Sequence, residues 1–262
     1  MNHNPEFWTC EFYKTYTNLE ELINITERLF LDISRYVRAI LGTDCPSLVA
    51  CDVDFTAPYS RLDFIPAIEE SIQGKLPDLA SSDAESKLLE LFHTRKIVLP
   101  SSPTLPRLLD KLSSKYIEPR CVTPTWIVNH PECLSPLSKS FVHPETQQRV
   151  AARAELFVNE QELVNTYEEE NSPIEQRRKF EMQLRYNDTE NPVSRVDESY
   201  LQALEYGMPP TGGWGCGIER LCMLFGGIQR IADTLSFGTL RNVVAFGSAR
   251  NNILGAPKKR PG

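Results

Sequence analysis

Near its C-terminal end the chain reads Pro209-Pro210-Thr211-Gly212-Gly213-Trp214-Gly215-Cys216-Gly217-Ile218-Glu219-Arg220. Gly213, Gly215 and Gly217 alternate, and alternate residues of a strand share one face. That face carries no side chains, so a flat ligand or another backbone can lie close against it. Arg220 then falls on the first turn of a short apolar helix, Leu221 to Phe225. A guanidinium there suits a phosphate, because its planar fork offers paired donors and stays charged. The stretch alone leaves open a glycine-kinked strand entering a buried helix, with Arg220 in a structural ion pair.

Upstream lies Arg153-Ala154-Glu155-Leu156-Phe157-Val158, followed by Glu162-Leu163-Val164-Asn165-Thr166-Tyr167-Glu168-Glu169-Glu170. A period of two sets Glu155 and Phe157 against Leu156 and Val158. Asn165, Tyr167 and Glu169 share one face, which makes poor core and a plausible pocket wall. Glu155 and Glu162 on paired strands could hold a hard cation such as magnesium, which takes oxygen ligands. A solvated acidic edge strand is the competing reading. At the N-terminus, His3-Asn4-Pro5-Glu6 leads into an alternating run. Phe7, Thr9, Glu11 and Tyr13 share one face; Trp8, Cys10 and Phe12 form an apolar opposite face. Glu11 beside the ring of Tyr13 could bind an ammonium, or the run could be an ordinary half-buried strand.

Together these blocks resemble the C-terminal part of the catalytic domain of class II lysyl-tRNA synthetases. His3 to Tyr13 is similar to the second half of that family's motif 2, and Gly213 to Arg220 to its motif 3. His130-Pro131-Glu132-Cys133-Leu134-Ser135-Pro136-Leu137-Ser138-Lys139 and Ala203-Leu204-Glu205-Tyr206-Gly207-Met208-Pro209-Pro210 resemble connecting segments, in order. Several matches in one order are more specific than any single motif. Asp44 to Tyr116 looks most like the fungal mitochondrial branch.

The resemblance implies an α+β domain over residues 1–242, with an antiparallel sheet flanked by helices, a probable insertion at about 44–116 and a C-terminal tail, 243–262. It implies a lysine-tRNA ligase that uses ATP and magnesium, with lysine and tRNA(Lys) as substrates. Phe7 would stack on adenine, with His3 and Asn4 near the phosphates. Glu11, Tyr13 and Glu169 would meet the lysine ε-ammonium, with Tyr167 along its methylenes. Glu155 and Glu162 would hold magnesium, Asn165 would reach that metal or lysine, and Arg220 the γ-phosphate side of ATP, beside Gly215 and Gly217. Glu219 stands where the family usually has aspartate, and Phe237-Gly238 where it has Phe-Pro. Motif 1, the first strand of motif 2 with its arginine and the anticodon-binding barrel have no counterpart. The expectation is therefore an incomplete catalytic domain, inactive by itself, from a family whose intact members are homodimers. A catalytically silent binding module and an aspartate- or asparagine-specific relative are the alternatives; the latter would need a cation facing the substrate side chain, where this face is acidic.

Composition sets the bounds. The 262 residues are 41% hydrophobic and 24% charged, enough for one sizeable core. A net charge of −7 argues against a general nucleic-acid platform, so contact with tRNA would be local. Candidates are Arg177-Arg178-Lys179 and Lys258-Lys259-Arg260. Seven cysteines without a CxxC pair or zinc spacing read as reduced thiols of a mitochondrial matrix or cytoplasmic protein. No membrane span and no targeting peptide are expected. Helices are expected to begin at a Thr17-to-Glu20 capping box, with Leu22, Leu29, Ile33, Tyr36, Val37 and Ile40 at helical spacing up to Gly42. Further helices are expected over Leu105–Tyr116, Glu175–Tyr186 and Asp197–Tyr206, and a strand over Thr125–Val128.

Overall fold

The structure, a computed structural model, describes residues 7–43, 51–186 and 195–235. His3, Asn4, the expected loop 187–193, Phe237-Gly238 and the tail with Lys258-Lys259-Arg260 lie outside them. The chain divides into two compact units.

The larger unit holds Glu11–Ile33 and Val53–Cys216 and is organised by a six-stranded sheet. Its strands are β1 (Thr9–Thr15), β2 (Ser60–Asp63), β3 (Thr125–Val128), β6 (Arg153–Val158), β7 (Gln161–Glu168) and β8 (Thr211–Gly217), in the order β1-β8-β7-β6-β3-β2. Between β3 and β6, in chain order, β4 (Ser140–Val142) and β5 (Arg149–Ala151) form a separate antiparallel pair. Along β8-β7-β6-β3 each strand pairs antiparallel with the next, and β2 joins β3 in parallel. With seven α-helices among the described residues, this is the expected α+β class.

Asn159 and Glu160 close the β6–β7 hairpin with φ of 51° and 62°. Two consecutive positive φ angles give the primed turn whose twist matches that of paired strands. Just beyond it the register slips. Leu156 faces Val164 but Phe157 faces Glu162, so Leu163 is an extra residue in β7. In a regular strand Glu162 and Asn165, three apart, would point to opposite faces. The bulge returns Glu162 to the face of Glu155 and Asn165.

Residues 51–116, within the stretch expected as an insertion, contribute β2, α2 (Phe64–Ile72), α3 (Ala84–Thr94) and α4 (Leu105–Tyr116). Phe64, Ile68, Leu88, Phe92, Leu108 and Leu112 pack in one cluster with Ile127, Val150 and Phe157. Most residues of that cluster, whose burial is the main favourable term in folding, come from this stretch.

α1 (Leu19–Thr43) departs from its expected start and face. Its N-cap is Asn18, whose Oδ1 accepts the Glu21 N–H at 2.9 Å, not Thr17, which is buried. Leu22, Ile23, Thr26, Glu27 and Phe30 are buried, whereas Leu29 and Tyr36 are exposed. The stripe is shifted because Glu27 accepts the Tyr59 amide and the Trp126 indole N–H inside the unit. The helix also continues through Gly42 to Thr43. α4 and β3 stand where expected; α5 (Pro173–Arg185) and α6 (Glu198–Glu205) are capped by Ser172 and Asp197.

Arg177-Arg178-Lys179 is not an open basic patch. Lys179 is fully buried and donates to Glu170 Oε2 at 2.7 Å and to the Ser138 carbonyl. Arg178 is bound to Glu132 and Glu175, and Arg177 to Glu198. The buried acids Glu132 and Glu170 need counter-charges, since an unpaired buried charge is costly.

The smaller unit contains Trp8, the end of α1 and α7 (Ile218–Gly226). Glu219 accepts the Trp8 amide through both oxygens, at 2.9 and 3.0 Å, and the Ile218 amide donates back to the Trp8 carbonyl at 3.0 Å. The acidic residue ahead of Arg220 thus ties the chain start to the N-terminus of α7. Gly227 ends that helix at φ 64°, a left-handed cap that glycine adopts without strain.

Burial pushes the Glu132 carboxyl up, but bonds from Arg178, Ser140 and Arg149 outweigh it and hold it at about 2. The folded value is depressed, so its stabilisation is complete above the usual carboxylate range and is lost as pH falls from about 4.5 towards 2. Glu132→Gln should lower stability at pH 7 by about 3–5 kcal/mol, measured by urea unfolding, and flatten the loss between pH 4.5 and 3.

Candidate functional site

β1, β7 and β8 bring six of the sequence candidates, Gly215 among them, to one cavity of about 100 Å³. Glu11 and Tyr13 come from β1, Asn165 and Tyr167 from β7, and Glu169 follows β7 directly. The floor is β8, where Gly213 faces Tyr167 and Gly215 faces Asn165 across the ladder.

The glycines of β8 serve different ends. A Cβ on Gly213 would stand 1.9 Å from Glu169 Oε1, and one on Gly212 would stand 2.6 Å from Leu22 Cδ1. Both spaces are filled by the protein and not by a ligand. A Cβ on Gly215 would only touch Glu11 Cγ at 3.7 Å. Gly217, in the smaller unit, would make ordinary contacts with Arg220. The open part of the bare face is therefore narrower than the alternation of glycines implies.

Trp214, between the glycines, points the other way. It is buried, stacks on Phe12 with ring centroids 5.0 Å apart, and donates its indole N–H to Thr26 Oγ1 at 2.8 Å. The Thr166 hydroxyl donates to the Gly213 carbonyl at 2.7 Å. These bonds fix the floor from behind. Of the face expected to be apolar only Phe12 packs in this way; Trp8 and Cys10 are exposed, so that face is not buried as a whole.

Glu169 is 6% exposed, and its Oε1 has no hydrogen-bond partner. Burial alone raises its carboxyl to about 7. The Tyr13 hydroxyl donates to Glu11 Oε2 at 3.4 Å. Burial, then Glu11 and Glu169, push the Tyr13 phenol up; burial, then Glu169, do the same for Tyr167. The lining residues include two carboxylates and two phenols, and no cation.

Beside it, on the same sheet face, stand Glu155 and Glu162. Arg153, on the same face two residues before Glu155, donates to both that carboxylate and Asn165 Oδ1, the latter at 2.9 Å. Two further donors of Arg153 reach the Leu134 carbonyl and the Ser135 hydroxyl. His130 Nε2 lies 3.1 Å from Glu155 Oε2. Burial, then Asp110, Glu155 and Glu162, raise the Glu118 carboxyl to about 7, so negative charge accumulates here. No group of three or more His, Cys, Asp or Glu among the described residues could by itself hold a metal ion. Magnesium, however, usually takes one or two carboxylates and completes its shell with phosphates and water. A carboxylate offers about four lone-pair sites, so Arg153 and His130 orient Glu155 without exhausting it. The donor set fits such a shared ion.

Sequence reading missed Arg153 and His130 as organisers of the site. The i, i+2 spacing of Arg153 and Glu155 was a readable signal; His130 reaches Glu155 only through the fold. In the smaller unit Arg220 occupies the first turn of α7, where expected.

Residues 1–241 match the family of class II tRNA synthetases (D, K and N). The chain belongs to that family. It is 35% identical over 260 residues to lysine–tRNA ligase cla4 of Cladosporium cladosporioides, covering 97% of this chain and 43% of that protein. It is 38% identical over 249 residues to the mitochondrial lysine–tRNA ligase of Schizosaccharomyces pombe (92% and 46%). With a probable cytoplasmic lysine–tRNA ligase of Vairimorpha ceranae it shares 33% over 253 residues (92% and 48%). The chain thus spans about half the length of these relatives. Among the described residues no helix is long and apolar enough to cross a membrane.

The raised Glu169 carboxyl makes the stability of the ligand-free protein depend on pH. The folded state holds its proton more tightly than the unfolded chain, so without ligand stability falls as pH rises from about 4.5 to about 7. Glu169→Gln should remove this slope and stabilise the ligand-free protein at pH 8 by on the order of 2 kcal/mol, measured by denaturant unfolding at pH 5 and 8.

Proposed function

We propose that this chain forms the amino-acid-binding and much of the ATP-binding part of a lysine-tRNA ligase. The carrying observation is Glu169, a buried carboxylate with an unpartnered oxygen, in a narrow cavity lined by carboxylates and phenols. Such a site takes a cation on a slender apolar stem. The ε-ammonium of lysine meets Glu169 and Glu11, the Tyr13 hydroxyl lies beside it, and Tyr167 packs along the methylenes. Asn165, its oxygen held by Arg153, turns its amide towards the substrate. An aspartate- or asparagine-specific relative would place a cation here, and the acidic lining argues against it.

The resemblance assigns Phe7 to adenine, and His3, Asn4, Gly215, Gly217 and Arg220 to ATP. Glu155 and Glu162 hold magnesium, which when bound neutralises phosphate charge. Arg153 and His130 keep Glu155 aimed. The lysine carboxylate attacks the α-phosphate in line; its oxygen–phosphorus bond forms as the bond to pyrophosphate breaks, with no covalent enzyme intermediate. The terminal ribose hydroxyl of tRNA(Lys) then displaces AMP from the lysyl carbonyl. Preorganised charge supplies the rate enhancement. Intact members of the family are expected to be homodimers, and the place of this protein is the mitochondrial matrix, with the cytoplasm as the alternative, a reading supported by the resemblance to the fungal mitochondrial branch.

Titration calorimetry with the purified chain tests the lysine assignment. Glu169→Gln should weaken lysine by about 30-fold or more, the cost of truncating one partner of a buried charge pair, and leave ATP within about twofold. Equal losses for both ligands would overturn it. Below pH 7 wild-type affinity for lysine should fall by about tenfold per pH unit as Glu169 protonates, and this dependence should vanish in the variant.

A further inference from the structure

Away from the lysine cavity, where α5 packs beside β5, is a second cavity of about 220 Å³. Arg149, Arg178 and Arg185 line it, with a single carboxylate, Glu132, in its wall. Glu132 is bound by Arg149 and Arg178, and both arginines also reach Glu175, at 3.9 and 3.0 Å. Arg149 still has its Nη1 group unengaged, and among the described residues the Arg185 side chain makes no hydrogen bond or ion pair. Three guanidiniums face one carboxylate in the wall, with Glu175 behind it and Glu85 in electrostatic range of Tyr186, so what the cavity offers an anion is the open donors of Arg149 and Arg185 rather than a net charge. Cys133 adds no negative charge, since burial pushes its thiol up to about 12. The remaining wall is apolar, with Leu79 and Met182 and the ring of Tyr186. None of these residues belongs to the lysine or ATP groups.

An apolar cavity of about 150 Å³ holds one benzene molecule, so this one has room for a single ring and a small charged head. We propose that it binds a small organic anion, a carboxylate or phosphate monoester on an apolar body about one ring in size. Its head takes the free donors of Arg185 and Arg149 as charge-assisted hydrogen bonds, and its body lies against Met182 and Tyr186. The ligand would act beside the established chemistry of the family, at a site separate from the sheet floor.

Titration calorimetry with phenyl phosphate, benzoate and benzylamine tests this. Phenyl phosphate or benzoate should bind saturably with a Kd below about 10 mM, and whichever binds more tightly identifies the head group. Arg185→Ala, at an exposed position, should weaken it at least about tenfold, and Met182→Trp should abolish it by filling the cavity, both variants keeping the wild-type circular dichroism. Failure of both anions to saturate, equal binding of benzylamine, or unchanged affinity in a folded Arg185→Ala or Met182→Trp protein would overturn the proposal.

Discussion

A carboxylate oxygen placed where a Cβ would otherwise stand is the constraint on which the site depends. Glu169 can lie against β8 only because Gly213 has no side chain, the hypothetical Cβ falling 1.9 Å from its Oε1. Everything nearby serves to hold that arrangement. Trp214 is locked from behind by Phe12 and Thr26, and Thr166 ties down the Gly213 carbonyl. The floor therefore cannot retreat to relieve Glu169, and its charge must be met by something entering the cavity.

Contrast with the other buried acids makes the point electrostatic. Glu132 is as buried as Glu169, but two arginines and a serine hold it at about 2, whereas Glu169 sits at about 7. Glu170, one residue on, is neutralised by the fully buried Lys179. Burial costs a charge in every case; only the presence of donors decides which form survives. The protein pairs its structural acids and leaves Glu169 Oε1 unpaired, which is how a binding carboxylate differs physically from a bracing one.

The sheet also sorts two chemistries along one face. Arg153 is the divider, since the same guanidinium binds Asn165 of the lysine cavity and Glu155 of the acidic pair. The bulge at Leu163 brings Glu162 onto that face as well. A shift of one residue in β7 thereby decides whether the second carboxylate faces the site or the core.

Much of this was legible in the residues before any coordinates. Strand alternation placed Asn165, Tyr167 and Glu169 together, and Glu11 with Tyr13, because a period of two follows from backbone geometry alone. The helices expected over Leu105–Tyr116, Glu175–Tyr186 and Asp197–Tyr206 and the strand over Thr125–Val128 are equally local, being decided by residues within a turn of one another. Tertiary structure alone decided the rest. Alternation could not reveal the bulge, since an extra residue is visible only against its partner strand. The basic run Arg177-Arg178-Lys179 read as a local tRNA contact because its acids lie elsewhere in the chain: Glu132 and Glu170 reach it only after folding. The buried face of α1 likewise depended on Tyr59 and Trp126, which bind Glu27. Local geometry sets which side chains share a face; burial and charge compensation, which need distant partners, set what that face does.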